Sequence, residues 1–170
     1  MKTILYALLF YSSVMLMTTG CEHQGDPADS SISGSITGSS DCKNFKSADL
    51  KFTEADTFSC VHYLYNESTY KLVMTHINAG FNCCPEEIYC EIITHNDTII
   101  IEEFEKRPDC DCLCLFDLDI ELQSVQEGTY IVKFIEPYAG GQAELIFEID
   151  LTSGIEGEYC VVRKGGPWGF

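Results

Sequence analysis

Cys110-Asp111-Cys112-Leu113-Cys114-Leu115-Phe116-Asp117-Leu118-Asp119-Ile120 sets cysteines at every second residue ahead of a segment that alternates apolar and acidic side chains. Residues two apart on a strand point to one face. Cys110, Cys112 and Cys114 therefore share a side with Phe116, Leu118, Ile120 and Leu122. Asp109, Asp111, Asp117, Asp119 and Glu121 take the other side, with Leu113 and Leu115 as exceptions. The stretch reads as a central strand whose core side is pinned by sulfur.

The same period recurs on both sides of it. Phe58 to Tyr65 and Tyr70 to Asn78 are rich in aromatic and β-branched residues and flank Asn66-Glu67-Ser68-Thr69, a hairpin signal. Glu87 to Thr94 and Thr98 to Glu105 flank His95-Asn96-Asp97 as a second hairpin. Cys112 to Gln123, Tyr130 to Glu136, Glu144 to Leu151 and Glu158 to Arg163 follow, separated by Gly-containing turns. Eight strands with no segment of helical period predict an all-β, antiparallel β-sandwich. Val125-Gln126-Glu127-Gly128-Thr129-Tyr130 resembles the corner before a late strand of immunoglobulin-like and fibronectin-like domains. There a tyrosine hydroxyl bonds back to the upstream backbone. That resemblance implies a sandwich of this type, while Tyr130 reads equally as one more strand aromatic.

At 170 residues the chain supports one core. Its formal net charge of −17 repels phosphate backbones, which excludes nucleic acid as a partner. Met1-Lys2 followed by an apolar run from Ile4 to Met17 has the layout of a secretory signal and is short for a bilayer span. Thr18-Thr19-Gly20-Cys21 resembles the lipobox of bacterial lipoproteins. The resemblance implies a signal peptide over 1–20, lipidation of Cys21, and anchoring in the bacterial envelope at the outer membrane or cell surface. Residues 21–41 are dominated by Ser and Gly and are expected to be a flexible linker with a reach of about 25 Å. The single sandwich domain is expected over 42–170.

With Cys21 set aside, Cys42, Cys60, Cys83, Cys84, Cys90, Cys110, Cys112, Cys114 and Cys160 remain. An exported chain favours disulfides, and an odd number leaves one thiol over. The possible pairings number about 945. Most of these cysteines fall on apolar strand faces. Cys83 and Cys84 are neighbours in a segment that bends at Pro85, so each is expected to reach a different partner, within Cys110 to Cys114. The alternative is a Cu or Zn site, or thiol-redox chemistry, built from Cys83, Cys84, Cys110, Cys112 and Cys114 with Cys90, with His62, His76 or His95 as further candidate ligands. Against a simple version, same-face residues on a strand lie about 6.7 Å apart, whereas thiolates on one tetrahedral zinc sit roughly 3.8 Å apart.

No phosphate loop, dinucleotide fingerprint, serine elbow, zinc-protease helix motif or Cys-x-x-Cys pair is present. His62 and His76 read as strand histidines, and Asp117, Asp119 and Glu121 read as a solvated acidic face, as do Glu102, Glu103 and Glu105. Trp168, in a Gly-rich tail, is expected to fold back over a sheet edge. No catalytic residue and no cofactor are assigned.

Thr75 to Pro85, with Asn82-Cys83-Cys84-Pro85, together with Cys110 to Leu118, resembles a group of uncharacterised bacterial secreted and lipid-anchored cysteine-rich proteins over about residues 58 to 168. The resemblance implies an exported location and carries no activity. The sequence thus predicts an envelope lipoprotein. Its domain is expected to be a non-catalytic binding or structural module for a protein, peptide or glycan, held at the membrane through its N-terminal lipid.

Overall fold

A computed structural model describes residues 31–43, 57–107 and 110–168. The expected signal segment, Cys21 and the first part of the expected linker lie outside the described residues. The described residues form nine strands: β1 (Ser33–Ser39), β2 (Phe58–Asn66), β3 (Lys71–Asn82), β4 (Glu87–His95), β5 (Thr98–Lys106), β6 (Leu113–Gln123), β7 (Thr129–Ile135), β8 (Ile146–Asp150) and β9 (Glu156–Val162). They make a five-stranded sheet, ordered β1-β6-β3-β2-β9, and a four-stranded sheet, ordered β4-β5-β7-β8. Facing residues of both sheets pack into one core that includes Val61, Leu72, Met74, Ile99, Ile101, Ile120, Val132 and Ile149. The architecture is a β-sandwich.

Three expectations need correction. First, the pairing is not all antiparallel, because β5 and β7 run parallel from Thr98↔Ile131 to Glu102↔Ile135. Second, residues 33–39 are not linker. They form β1, which pairs with β6 from Ser33↔Gln123 to Ser39↔Leu118. The physical reason is that Ile32 and Ile36 are four apart, share a strand face, and both pack on the core. The small residues between them let the backbone come close: a Cβ on Gly34 would lie 2.4 Å from Leu122 Cδ2 and 2.5 Å from the Glu121 carbonyl oxygen. Gly34→Val is therefore expected to push β1 off β6. Hydrogen exchange checks this: amide protection of residues 33–39 should fall to that of an open segment, while β2 and β3 stay protected.

Third, β3 does not stop at Asn78 but continues to Asn82. Its ladder with β6 shifts register between His76 and Ala79, and Asn78 sits at φ +61°. Such a bulge moves the buried set by one residue. Leu72, Met74 and His76 are buried before it, and Ala79 and Phe81 after it. The bulge is pinned on several sides. The Asn78 N–H donates to Asp117 Oδ1 at 3.0 Å, its side-chain amide donates to the Phe58 carbonyl at 2.7 Å, and Lys43 Nζ donates to Asn78 Oδ1 at 2.8 Å.

β6 is an interior strand between β1 and β3. Cys114, Phe116, Leu118, Ile120 and Leu122 are all buried, as their alternation requires, while Leu115 is buried on the other side. Cys110 and Cys112 precede the strand and are not in it. The Tyr130 hydroxyl donates to the Gln126 carbonyl at 3.0 Å, four residues upstream, which is the contact of a tyrosine corner. Trp168 does fold back and is fully buried. Its indole N–H donates to the Asn78 carbonyl at 2.7 Å, and its ring lies where a Cβ on Gly80 would stand, 2.8 Å from two ring carbons.

Candidate functional site

Two constellations carry chemistry, a buried polar network between the sheets and a cysteine cluster at one end of the β3–β6 ladder.

The network begins with strand alternation. Ser59 on β2 and His76 on β3 point inward from the five-stranded sheet and are fully buried. Glu103 on β5 points inward from the other sheet and is 2 % exposed. Reading Glu103 as part of a solvated acidic face is therefore wrong. Ile99 and Ile101, at the same parity, bury that face of β5 and take Glu103 in with them. Glu136 follows β7, and Arg163 follows β9. Glu105 is also engaged, accepting the Tyr138 hydroxyl at 2.5 Å and the Asn82 N–H at 2.8 Å.

His76 Nδ1 lies 2.8 Å from Glu103 Oε1, and Nε2 lies 2.9 Å from Ser59 Oγ and 3.7 Å from Glu136 Oε1. Arg163 pairs with Glu136 through Nη2, donates to the Ala143 carbonyl through Nη1 at 2.6 Å, and stands 5.2 Å over the Trp168 ring. Because a carboxylate can only accept, the Nδ1–H of His76 donates to Glu103. Burial draws the His76 imidazole down, but Glu103 and Glu136 outweigh both that and Arg163, so its pKa is raised above the ordinary 6.5. Burial raises Glu136 above 4.5, with His76 and Arg163 opposing. Two carboxylates and one guanidinium leave one negative charge, which a protonated His76 cancels.

Ser59, His76 and Glu103 stand in the order nucleophile, base, orienting acid. Their burial decides what they can do: a hydroxyl with no exposed surface does not meet an external acyl group, so the trio works as a polar tie between sheets. The donor atoms of His76, Glu103 and Glu136 lie within 4.8 Å of one another, within reach of one ion. Arg163 already holds Glu136, however, and a dication beside it would be repelled. A cleft of about 330 Å³, lined by Glu136, Arg163 and the turn from Ala139 to Gln142, flanks the network.

The cysteine cluster is built by backbone pairing. Phe81 faces Cys114 and Asn82 faces Leu113 in the β3–β6 ladder, and the Cys83 N–H donates to the Cys112 carbonyl at 3.1 Å. The segment carrying Cys42 is held by Ser40 N–H to the Asp117 carbonyl, 2.8 Å, and Lys43 N–H to the Leu115 carbonyl, 2.9 Å. Within this frame the disulfides are Cys42–Cys114, Cys83–Cys112 and Cys84–Cys110, with Cys60–Cys160 bridging β2 and β9 elsewhere. The neighbours Cys83 and Cys84 reach different partners. The five cysteines of the alternative metal set are thus shared among three disulfides, one of which draws in Cys42. Disulfides in this number are compatible with an exported protein.

Cys90 is the one unpaired cysteine among the described residues. It faces Glu103 across the β4–β5 ladder, and burial, with Glu103 adding to it, pushes its thiol up to about 11. At neutral pH it is a weak nucleophile. Of the other histidines, His62 pairs at the surface with Glu158 at 3.3 Å and His95 contacts Asn96, so neither joins the cysteines.

Sequence reasoning passed over the network. The available signal was parity: Glu103 continues the Ile99, Ile101 face, and His76 the Leu72, Met74 face. Glu136 and Arg163 stand one residue past the ends of β7 and β9 and continue the parities of the buried Val132 and Phe134 and of the buried Val161. A scan of family models and searches of curated proteins and of solved structures give no match to this chain.

Proposed function

We propose that this chain is an exported lipoprotein, anchored through Cys21 in the bacterial cell envelope, whose β-sandwich is a non-catalytic binding or structural module for a protein, peptide or glycan. The observation that carries this reading is the combination of a multiply cross-linked sandwich with a Ser59–His76–Glu103 trio sealed in its interior. Cross-links of this density suit an oxidising compartment, and sealed polar groups serve cohesion, not turnover. The 20 residues from position 22 to 41 shorten as a tether once β1 is taken from them, so the sandwich stands closer to the membrane than a free linker would hold it.

The anchoring is tested by expressing the chain in a bacterial host with a radiolabelled fatty acid. Label is expected in the wild type and absent from Cys21→Ser, which should move from the membrane fraction to the soluble exported fraction. An unlabelled wild type, or a labelled Cys21→Ser, would sink the lipoprotein reading.

A further inference from the structure

We propose that Cys42, Cys83 and Cys114, once the Cys42–Cys114 and Cys83–Cys112 disulfides are reduced, form a three-thiolate site for Zn²⁺. The sulfur atoms of Cys42, Cys83 and Cys114 lie within 4.8 Å of one another, although Cys83 is cross-linked to neither of the other two. Cys112 is Cys83's own disulfide partner, but its sulfur stands outside this group of three. Thiolates on one tetrahedral zinc sit roughly 3.8 Å apart, so closing the group of three takes movements of about 1 Å, within the reach of side-chain rotation.

What makes the group more than a chance crowd is that the backbone holds it independently of the sulfur–sulfur bonds. The Phe81↔Cys114 pairing, the Cys83 N–H to Cys112 carbonyl bond, and the Ser40 and Lys43 bonds to β6 remain when the disulfides are opened. Cys114 is 4 % exposed and forms the floor. Cys42 and Cys83 are half-buried and Cys112 is exposed, which gives a reductant and an ion a way in. The adjoining cleft of about 550 Å³ is lined by Cys42, Cys83 and Cys84 together with Asp41, Glu86 and Glu87, of which Glu86 pairs with Arg107 and Glu87 with Lys106. Cys84 and Cys110 make their own bond and are not ligands.

The chemistry balances. Two equivalents of a dithiol reductant give two electrons and two protons to each disulfide, become cyclic disulfides themselves, and leave four thiols. Zn²⁺ then replaces the thiol protons of Cys42, Cys83 and Cys114, while Cys112 keeps its own. Oxidation by a disulfide acceptor reverses the sequence and releases the ion, so the two states are a cross-linked, metal-free corner and a reduced, metal-closed one.

The test uses Co²⁺, whose tetrahedral thiolate complexes give intense sulfur-to-metal charge-transfer and visible d–d absorption. The reduced chain is expected to take up one Co²⁺ with these bands and to lose them to one equivalent of Zn²⁺, while the oxidised chain shows none. Cys84→Ser/Cys110→Ser should keep the bands. Cys42→Ser and Cys83→Ser should each weaken cobalt affinity by more than about 100-fold, since even outer-shell changes cost up to that much. Absence of bands in the reduced wild type overturns the proposal, as does undiminished binding in Cys42→Ser or loss of binding in Cys84→Ser/Cys110→Ser. Circular dichroism of the reduced samples adds an independent reading. If reduction alone abolishes the β signal, its recovery on adding Zn²⁺ supports the site and its failure to recover overturns it.

Discussion

Arg163→Met is expected to destabilise the fold by about 3–5 kcal/mol at neutral pH, the usual cost of removing one partner of a buried ion pair. The Arg163 side chain is 1 % exposed and that of its partner Glu136 is 3 % exposed. Met fills most of the volume, so the loss reports charge more than cavity. For a domain of this size the melting temperature should fall by roughly 10 °C or more. The loss should depend on pH in a defined direction. His76 is raised above 6.5 and Glu136 above 4.5, so in each window from the unfolded value up to the raised one the native state holds more protons than the unfolded chain. Stability of the wild type therefore falls as pH rises through both windows.

Arg163 lowers both groups, so removing it lifts them further and widens the windows. At pH 5 Glu136 can take a proton and leave no bare charge, whereas at pH 8 it cannot do so cheaply. Urea unfolding at the two pH values should show the larger loss at pH 8. Arg163→Met/Glu136→Leu should recover part of the loss, because removing both partners leaves no orphaned charge. A loss below about 1 kcal/mol, or one equal at both pH values, would mean that the network is not an ionic tie.

Removing the Cys60–Cys160 cross-link by Cys60→Ala/Cys160→Ala is expected to cost about 4–5 kcal/mol. The two residues face each other in the β2–β9 ladder, with Cα atoms 4.0 Å apart, and are separated by 100 residues. Closing a loop of that length restricts the unfolded chain by about 4.7 kcal/mol in the chain-entropy account. The Cys84–Cys110 bond closes a separation of 26 residues. Its removal should therefore cost about 1 kcal/mol less. Denaturant titration of the two double variants ranks them. If the short loop proves the more costly, strain and local packing govern these cross-links, not chain entropy. β9 is an edge strand, so loss of its clamp should also appear as early exchange of its amides.

The physical content of the network bears on what the molecule can do. A protonated His76 gives the interior a balanced set of charges, and the same charges tie both sheets and the C-terminal Trp168 into one unit.

Much of this was legible in the residues. Alternation alone placed a strand over Cys112 to Gln123, of which Leu113–Gln123 forms β6, with its buried side and the sandwich class, because a period of two admits one way of hiding Cys114, Phe116, Leu118, Ile120 and Leu122. Counting leaves one of nine cysteines over once Cys21 is set aside as the expected lipid site, and Cys90 is unpaired among the described residues. The tertiary structure decided the rest. Composition hid β1, since a Ser/Gly stretch becomes a strand only when a neighbour such as Leu122 offers an edge that glycine can approach closely. Parity failed across the β3 bulge, where one extra residue shifts the ladder with β6 and every residue from Asn78 to Asn82 is buried. The partners of the cysteines, and the meeting of Ser59, His76, Glu103, Glu136 and Arg163, depend on which strands become neighbours. Contacts between residues far apart in the chain are fixed by the packing of two sheets, and no local pattern carries that information.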